Sequence, residues 1–122
     1  MSRIATEFAA DERLAVYGSL RPGAENAHVL APLAGEWTSG SVRGRLVEAG
    51  WAAARGYRAI TLCDTDEPVS VFLFCSHDLP AFWPSLDAFE GAEYRRTLVQ
   101  VDTADETVEA FIYAVSEPVD RR

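Results

Sequence analysis

Hydrophobic residues recur at every second position in several short stretches of the chain, which is the spacing of a half-buried β-strand. Turn-forming and acidic residues separate these stretches, so several of them are expected to pair as hairpins. The predicted strands are residues 14–17, 37–47, 58–62, 69–74, 97–101 and 108–115. We expect 58–62 to pair with 69–74, and 97–101 to pair with 108–115, each across an acidic turn.

The segment from Asp78 to Glu90 has a helical period instead of an alternating one. Apolar residues spaced by three and four give it one wide apolar face. These residues are Leu79, Phe82, Trp83, Leu86 and Phe89. Pro80 suits the first turn of such a helix, and Gly91 is a natural stop after it. The pattern therefore predicts an amphipathic helix that ends at Glu90.

A second, shorter helix is expected at residues 27–31, where Asn26 is suited to cap the first turn and Pro32 limits the length. Two short helices and about six strands, joined mainly as hairpins, indicate an α+β fold. The strand pattern is typical of a small, curved, mostly antiparallel sheet, which could be open or closed as a barrel.

Composition narrows the classes of protein to which the chain can belong. Apolar residues make up 48% of it, enough for the core of one domain. We expect that domain at residues 13–116, between a flexible N-terminal segment, 1–12, and a tail, 117–122. The formal net charge of −8 disfavours nucleic acid as a partner, because binding phosphates needs clustered cations. Every basic residue is Arg, which excludes Schiff-base chemistry on a lysine of this chain.

The sequence also carries no sign of a membrane or secretory protein. Its apolar runs are shorter than the roughly 20 residues of a membrane-spanning helix. The N-terminus lacks the apolar core of a signal peptide. We therefore expect a soluble, cytoplasmic protein without a membrane partner, either a monomer or a homodimer. Cys63 and Cys75 lack the spacing of a zinc or redox motif, and we expect both thiols to be reduced and mostly buried.

The first candidate for a catalytic residue is Glu90, which lies at the predicted C-terminal end of the helix. The negative end of a helix dipole disfavours a carboxylate there, and partial burial beside Phe89 would disfavour it further. Both effects raise the pKa of a carboxyl group, which suits a group that gives and takes a proton. The simpler interpretation is a solvated glutamate, although a helix selected only for stability would carry Lys or Arg at this position.

The second candidate is the loop Tyr17-Gly18-Ser19-Leu20, directly after the first predicted strand. Gly18 lets a ligand approach the backbone closely, and the amides that follow can point at an anion. The hydroxyl of Ser19 could donate a further hydrogen bond. The alternative is an ordinary turn between a strand and a loop.

These segments resemble the motifs of the gamma-glutamylcyclotransferase-like proteins. The first motif of that family is matched by Tyr17-Gly18-Ser19-Leu20, Gly23 and Asn26, and the second by Asp87-Ala88-Phe89-Glu90-Gly91, Tyr94 and Arg96. Gly44-x-Leu46 and Ala110-Phe111-Ile112-Tyr113 resemble two of its strands. The matches follow the order of the family from Val16 to Tyr113. One departure is Gly50-Trp51-Ala52, where many relatives carry Tyr-Pro after the glycine.

The resemblance implies a small mixed β-barrel with a cavity, in which Tyr17, Gly18, Ser19, Leu20 and Tyr113 bind a gamma-glutamyl substrate. It implies that the carboxyl group of Glu90 is the acid and base of a cyclisation that releases 5-oxoproline and a free amine or amino acid. No metal or organic cofactor is implied. The leaving group stays open, and a non-catalytic module that binds a gamma-glutamyl compound or another small carboxylate is the alternative function.

Several other polar residues have a structural interpretation beside a functional one. Tyr113 and Tyr17 could donate hydrogen bonds in the cavity or pack in the core. Arg96 could pair with an acid near the site and Arg21 could meet a carboxylate of the substrate, or either could lie solvated on the surface. Glu93 is a rival for the acid and base, but it follows the predicted helix stop. Residues for which we expect only an exposed or structural role are Asp87, His28 and His77.

Overall fold

A computed structural model describes residues 7–18, 20–47, 59–63 and 67–115. Its strands are β1 (Arg13–Val16), β2 (Glu36–Val47), β3 (Ala59–Leu62), β4 (Pro68–Cys75), β5 (Arg95–Asp102) and β6 (Thr107–Ala114). The one α-helix of these residues, α1, is Leu79–Glu90, and short 3-10 turns occupy Ala10–Glu12 and Ala27–Val29. The positions of the strands and of α1 agree with the periodicity of the sequence.

Five of the strands form a closed barrel in the order β2, β4, β1, β6, β5, with β5 returning to β2. The β1–β6 pair is parallel, with Leu14 opposite Phe111, and the other neighbours in the ring are antiparallel. Among the described residues, Ser41 and Asp102 are the pair that joins β2 to β5 and so completes the ring. The predicted α+β fold with a mixed, mostly antiparallel barrel is therefore confirmed.

The predicted pairing of 58–62 with 69–74 is wrong, because β2 lies between β3 and β4. β2 is long enough to serve two partners, since residues 36–43 pair with β4 and residues 44–47 pair with β3. The other predicted hairpin is confirmed, because β5 and β6 are antiparallel neighbours from Arg95–Ala114 to Asp102–Thr107.

The predicted helix at 27–31 is a 3-10 turn instead, and Asn26 makes no side-chain capping hydrogen bond. The amides of Val29, Leu30 and Ala31 each bond a carbonyl three residues earlier, which is the 3-10 pattern. Pro32 follows and has no amide hydrogen with which to extend the turn. The segment therefore forms one short 3-10 turn within the longer connection from β1 to β2.

Two apolar clusters stabilise the fold. The barrel cluster lies between the strands and is made of Ala15, Val42, Ile60, Val71, Leu73, Cys75, Val101, Val108, Ala110, Ile112 and Ala114. The helix cluster lies where α1 covers the barrel and is made of Leu14, Val16, Leu20, Leu30, Phe74, Leu79, Trp83, Leu86 and Tyr113. Side chains alternate between the two along β1 and β6, as the period of a strand requires.

Three smaller findings bear on the expectations from sequence. Within the described ranges, no helix combines the length and the hydropathy needed to cross a lipid bilayer. Cys75 is buried as expected but Cys63 is exposed, because it follows the end of β3, and neither is in a disulfide among the described residues. In the segment predicted to be flexible, the carbonyl of Asp11 accepts a hydrogen bond from Trp83 Nε1 at 2.9 Å, and that of Glu12 accepts one from the amide of Ser76 at 2.9 Å.

Candidate active site

The C-terminal turn of α1 places one carboxyl group in the interior. Glu90 is the last residue of the helix, and only 9% of its surface is exposed. Gly91 ends the helix with φ at 87°, a value that favours glycine, and its amide bonds the carbonyl of Asp87 at 3.0 Å. Burial raises the pKa of Glu90 from its usual 4.5 to about 7, because the protein interior disfavours the ionised form. The direction expected from the sequence is thus found in the structure.

Tyr17 follows β1 and ties three elements together at one end of the barrel. Its hydroxyl donates to the carbonyl of Tyr113 on β6 at 2.7 Å and accepts from the amide of Ile60 on β3 at 3.1 Å. Burial raises the pKa of Tyr17, and the negative charge of Glu90 raises it further. Tyr17 is therefore a neutral phenol whose pKa is affected by the charge of Glu90.

Tyr113 connects β6 to the same end of α1. Its hydroxyl donates to Asp87 Oδ1 at 2.6 Å, one helical turn before Glu90. Burial is the main cause that raises the pKa of Tyr113, and Asp87 and Glu90 both contribute to the rise. Tyr113 is buried in the helix cluster, so its ring packs in the core while its hydroxyl is hydrogen-bonded to the last turns of α1. The core packing expected as one interpretation of Tyr113 is thus found, and its binding of a substrate stays a prediction.

Asp87 is also held by an arginine from β5. Arg96 Nε donates to Asp87 Oδ1 at 2.9 Å, and a terminal nitrogen of the same guanidinium donates to Oδ2 at 3.2 Å. The hydrogen bond from Arg96 is the main cause that holds the pKa of Asp87 below its usual value. The guanidinium also stacks on the rings of Trp83 and Phe111, at 4.7 and 4.8 Å from their centroids.

These three residues, Asp87, Arg96 and Tyr113, are here called the Asp87 cluster. The pairing of Arg96 with an acid is one of the two interpretations of that residue, but the sequence does not identify the acid as Asp87, for which only a surface role is expected. The side chain of Asp87 is indeed 44% exposed, but it joins α1 to both β5 and β6. Asp87 and Arg96 both belong to the second motif, but their spacing does not show that they pair until β5 is known to return along the helix.

The loop after Tyr17 packs against the same region. Leu20 is buried in the helix cluster with Tyr113. The carbonyl of Gly18 accepts hydrogen bonds from the backbone amide of Arg21 at 3.1 Å and from Arg21 Nε at 2.9 Å. Arg21 therefore stabilises the loop on its own backbone. Ser19, predicted to bind substrate, lies outside the described residues.

A cleft of about 580 Å³ opens beside the end of α1. Asp87 and Ala88 of α1 line it, as do Gly91 and Ala92 after the helix, whereas Glu90 is not among its lining residues. Its other wall includes Tyr94, Arg95, Arg96 and Tyr113. The carboxyl group of Glu90 lies buried in the same turn of helix.

The remaining polar candidates lie apart from this arrangement. Glu93 is exposed, as are both histidines, and His77 Nδ1 lies 3.0 Å from Glu12 Oε2 at the far end of α1. Within the part of the chain that the structure describes, no group of three His, Cys, Asp or Glu side chains could hold a metal ion. The residues that converge are thus Glu90, Tyr17, Tyr113 and the Asp87 cluster.

Solved structures of other proteins share this architecture. YkqA from Bacillus subtilis is 28% identical, with a TM-score of 0.66 over 85% of this chain. An AIG2-like protein from Mus musculus is 21% identical, with a TM-score of 0.65 over 88% of this chain and 79% of its own. A protein from Arabidopsis thaliana is 21% identical, with a TM-score of 0.67 over 89% of this chain and 71% of its own. The chain spans only 35% of the length of YkqA. Among curated proteins, no sequence matches this chain.

The similar structures show the fold, and a family model shows the family to which the chain belongs. The model described as gamma-glutamyl cyclotransferase, AIG2-like, matches residues 14–122, which is nearly the whole chain and includes both motifs noted in the sequence. The fold of the mouse AIG2-like protein agrees with it. The chain therefore belongs to the gamma-glutamyl cyclotransferase, AIG2-like family.

Proposed function

We propose that this protein is a gamma-glutamyl cyclotransferase that acts on a gamma-glutamyl amide and releases 5-oxoproline and a free amine or amino acid. The main support for the proposal is that the carboxyl group of Glu90 is buried and has a pKa of about 7. It lies at the C-terminal end of a helix, where the helix dipole disfavours a negative charge. Membership of the family supports a cyclotransferase-like enzyme in general terms.

In the proposed reaction, the α-amino group of the substrate reacts as neutral NH2, and the carboxylate of Glu90 takes one of its two protons as the nitrogen attacks. The lone pair of that nitrogen attacks the γ-carbonyl carbon, and the new C–N bond closes a five-membered ring. The tetrahedral oxyanion then collapses and breaks the bond to the departing nitrogen. That nitrogen leaves with the proton that Glu90 had taken, so Glu90 ends the cycle as it began.

The pKa of Glu90 suits both halves of this cycle. A group with a pKa of about 7 is ionised in about half of the molecules at neutral pH, so neither the acid nor the base form is scarce. Proton transfer of this kind contributes about 10²–10⁴-fold to rate. Correct folding of the glutamyl chain before an intramolecular attack can lower the barrier by about 7–11 kcal/mol.

The other predicted residues have supporting roles in this proposal. The loop Tyr17-Gly18-Ser19-Leu20 holds the gamma-glutamyl group, with backbone amides that can stabilise the developing oxyanion. Tyr113 lines the cleft next to the turn that carries Glu90. Tyr17 and Tyr113 both have raised pKa values, so both stay neutral and neither competes with Glu90 as a base at neutral pH. Each already donates its one O–H within the protein, Tyr17 to the carbonyl of Tyr113 and Tyr113 to Asp87, so both hold the shape of the site.

The decisive experiment measures 5-oxoproline by mass spectrometry over a panel of gamma-glutamyl amino acids and amines, with wild type, Glu90→Gln and Glu93→Gln. We expect Glu90→Gln to lose about 10²–10⁴-fold in turnover, because a carboxamide cannot exchange the proton. Glu93→Gln is the matched control, an exposed glutamate three positions later. It should turn over like wild type.

Two results would contradict the proposal. Full activity of Glu90→Gln would remove Glu90 from the chemistry, and a loss confined to Glu93→Gln would assign the role to Glu93. If no member of the panel gives product but some raise the melting temperature of wild type, the protein is a binding module for such compounds instead.

A further inference from the structure

The last turn of α1 needs support from outside the helix. Pro84 lies inside α1 and has no amide hydrogen, so the bond that an amide there would make to the carbonyl of Pro80 is absent. No basic residue stands in the last turn to offset the helix dipole. Glu90, the proposed acid and base, is the final residue of this helix. Its position therefore depends on contacts that the turn makes with the barrel.

Asp87 supplies polar contacts of this kind. It lies three positions before Glu90, so the two side chains leave neighbouring positions on the helix surface. The carboxylate of Asp87 accepts hydrogen bonds from Arg96 Nε at 2.9 Å and from the Tyr113 hydroxyl at 2.6 Å. β5 and β6 thus hold the same carboxylate, which restrains both the rotation of the turn and its distance from the barrel.

Tyr113 carries this restraint to the loop predicted to bind the substrate. Its side chain holds Asp87, while its backbone carbonyl accepts the hydrogen bond from the Tyr17 hydroxyl at 2.7 Å. The charge of Glu90 contributes to the raised pKa of both tyrosines, so its carboxyl group lies within electrostatic range of the two hydroxyls. One chain of hydrogen bonds therefore connects the last turn of α1, through Asp87 and Tyr113, to Tyr17 at the start of the loop.

We propose that Asp87 is a positioning residue, which holds the helix turn of Glu90 at the distance from the loop that proton transfer requires. The inference rests on the proposed function and adds a residue that acts through Arg96 and Tyr113 rather than on the substrate. A misplacement of about 1 Å can cost about 10²-fold in rate. Asp87 suits this role because its lowered pKa keeps it ionised, and so able to accept both hydrogen bonds, over the range in which Glu90 titrates.

The test compares kcat and KM of wild type, Asp87→Ala and Asp87→Asn on the gamma-glutamyl compound that wild type turns over fastest. Asp87→Ala removes both acceptor oxygens and should lower kcat by about 10–10²-fold, with KM within about twofold of wild type, because substrate binding is untouched. Asp87→Asn keeps one acceptor oxygen and should lose less. Asp105→Asn is the matched control, an exposed aspartate between β5 and β6, and should turn over like wild type.

A second readout does not need turnover. If Asp87 holds the turn in place, its removal lets water reach Glu90, and the pKa of Glu90 moves from about 7 toward 4.5. The fall in the urea midpoint of unfolding between pH 4.5 and 7 should then be smaller in Asp87→Ala than in wild type or Asp105→Asn. Asp87 itself does not titrate in this range, because the hydrogen bond from Arg96 keeps its pKa below the usual 3.8.

Unchanged kcat in Asp87→Ala would overturn the proposal whatever the loss of stability, since Asp87 would then be purely structural. A rise in KM alone would overturn it too, because it would put Asp87 on the substrate. If wild type gives no product from any compound, the proposed function fails, and the inference is judged from the urea midpoints alone. Equal falls in Asp87→Ala and wild type would then reject it.

Discussion

The barrel cluster and the helix cluster show how differently two parts of one core can be built. The barrel cluster consists of aliphatic side chains and one thiol, Cys75. The helix cluster contains the aromatic residues Trp83, Phe74 and Tyr113. The buried carboxyl group of Glu90 belongs to α1, the helix that contributes to this cluster. Neighbouring strands satisfy each other's backbone hydrogen bonds, so the barrel cluster between them needs no polar side chain. The polar groups with a proposed function are thus concentrated where α1 covers the barrel.

This contrast has an energetic side. Burying a side chain of the barrel cluster stabilises the fold, whereas burying the carboxyl group of Glu90 disfavours its ionised form. A helix end selected only for stability would avoid that burial. The comparison therefore predicts that mutations in the two regions separate stability from activity.

The largest effect on stability is expected from Ile112→Ala in the barrel cluster. Ile112 is fully buried on β6, and its truncation should lower the free energy of unfolding by about 2–5 kcal/mol through lost burial and a cavity. Urea denaturation measures this directly. Leu98→Ala, at a site 49% exposed on the neighbouring strand, should change it by no more than about 0.5 kcal/mol. A small effect at Ile112 would mean that the barrel interior repacks freely.

The next effect concerns pH and belongs to the helix end. The pKa of Glu90 is about 7 in the folded protein against a usual 4.5, so the folded state binds the proton more tightly than the unfolded state. Stability from this group is complete below pH 4.5 and is lost as pH rises to 7. The loss should amount to about 3 kcal/mol.

Denaturation of wild type and Glu90→Gln between pH 4.5 and 8 measures this difference, since the variant lacks the titrating group. The stability of wild type should fall relative to the variant as pH rises through this range. Parallel curves for the two proteins would show that the carboxyl group of Glu90 is solvated, and the contrast between the clusters would disappear.

The smallest effects are expected from the two tyrosine hydroxyls. Tyr17→Phe leaves the buried amide of Ile60 without its acceptor, which should cost about 1–3 kcal/mol of unfolding free energy. Tyr113→Phe should cost about 1 kcal/mol, because Asp87 keeps Arg96 and has access to water. Thermal or urea unfolding of both variants tests the order. The reverse order would show that the Asp87 cluster, rather than the end of the barrel, is the more tightly organised.

Local patterns were sufficient to place most of the elements and to pair β5 with β6, but not to find the partner of β3. Alternation and helical spacing depend on neighbouring residues, so β2, α1 and the β5–β6 hairpin could be predicted from the sequence. The partner of β3 depends on the length of β2, because β2 pairs with β4 along its first part and with β3 along its last four residues. That arrangement is a property of the whole sheet and leaves no trace in residues 58–74.

The same distinction applies to the site. The burial and raised pKa of Glu90 follow from its place at the end of an amphipathic helix, which the sequence displays. The Asp87 cluster depends on where β5 and β6 lie relative to α1, so Asp87 was misjudged. Cys63 was misjudged for a similar reason, because whether a residue at a strand end is buried depends on its neighbours in the sheet.

The parallel pair of β1 and β6 has a consequence for how the protein folds. Leu14 and Phe111 are partners separated by 111 − 14 = 97 positions, and the Tyr17–Tyr113 hydrogen bond spans 96. Contacts between such distant residues slow folding, because a long loop must close before they form. During synthesis, β1 therefore waits without this partner until β6 has left the ribosome. Among the described residues, β6 is the last strand in chain order, so the part of the cleft that Tyr113 lines forms only after this late contact closes.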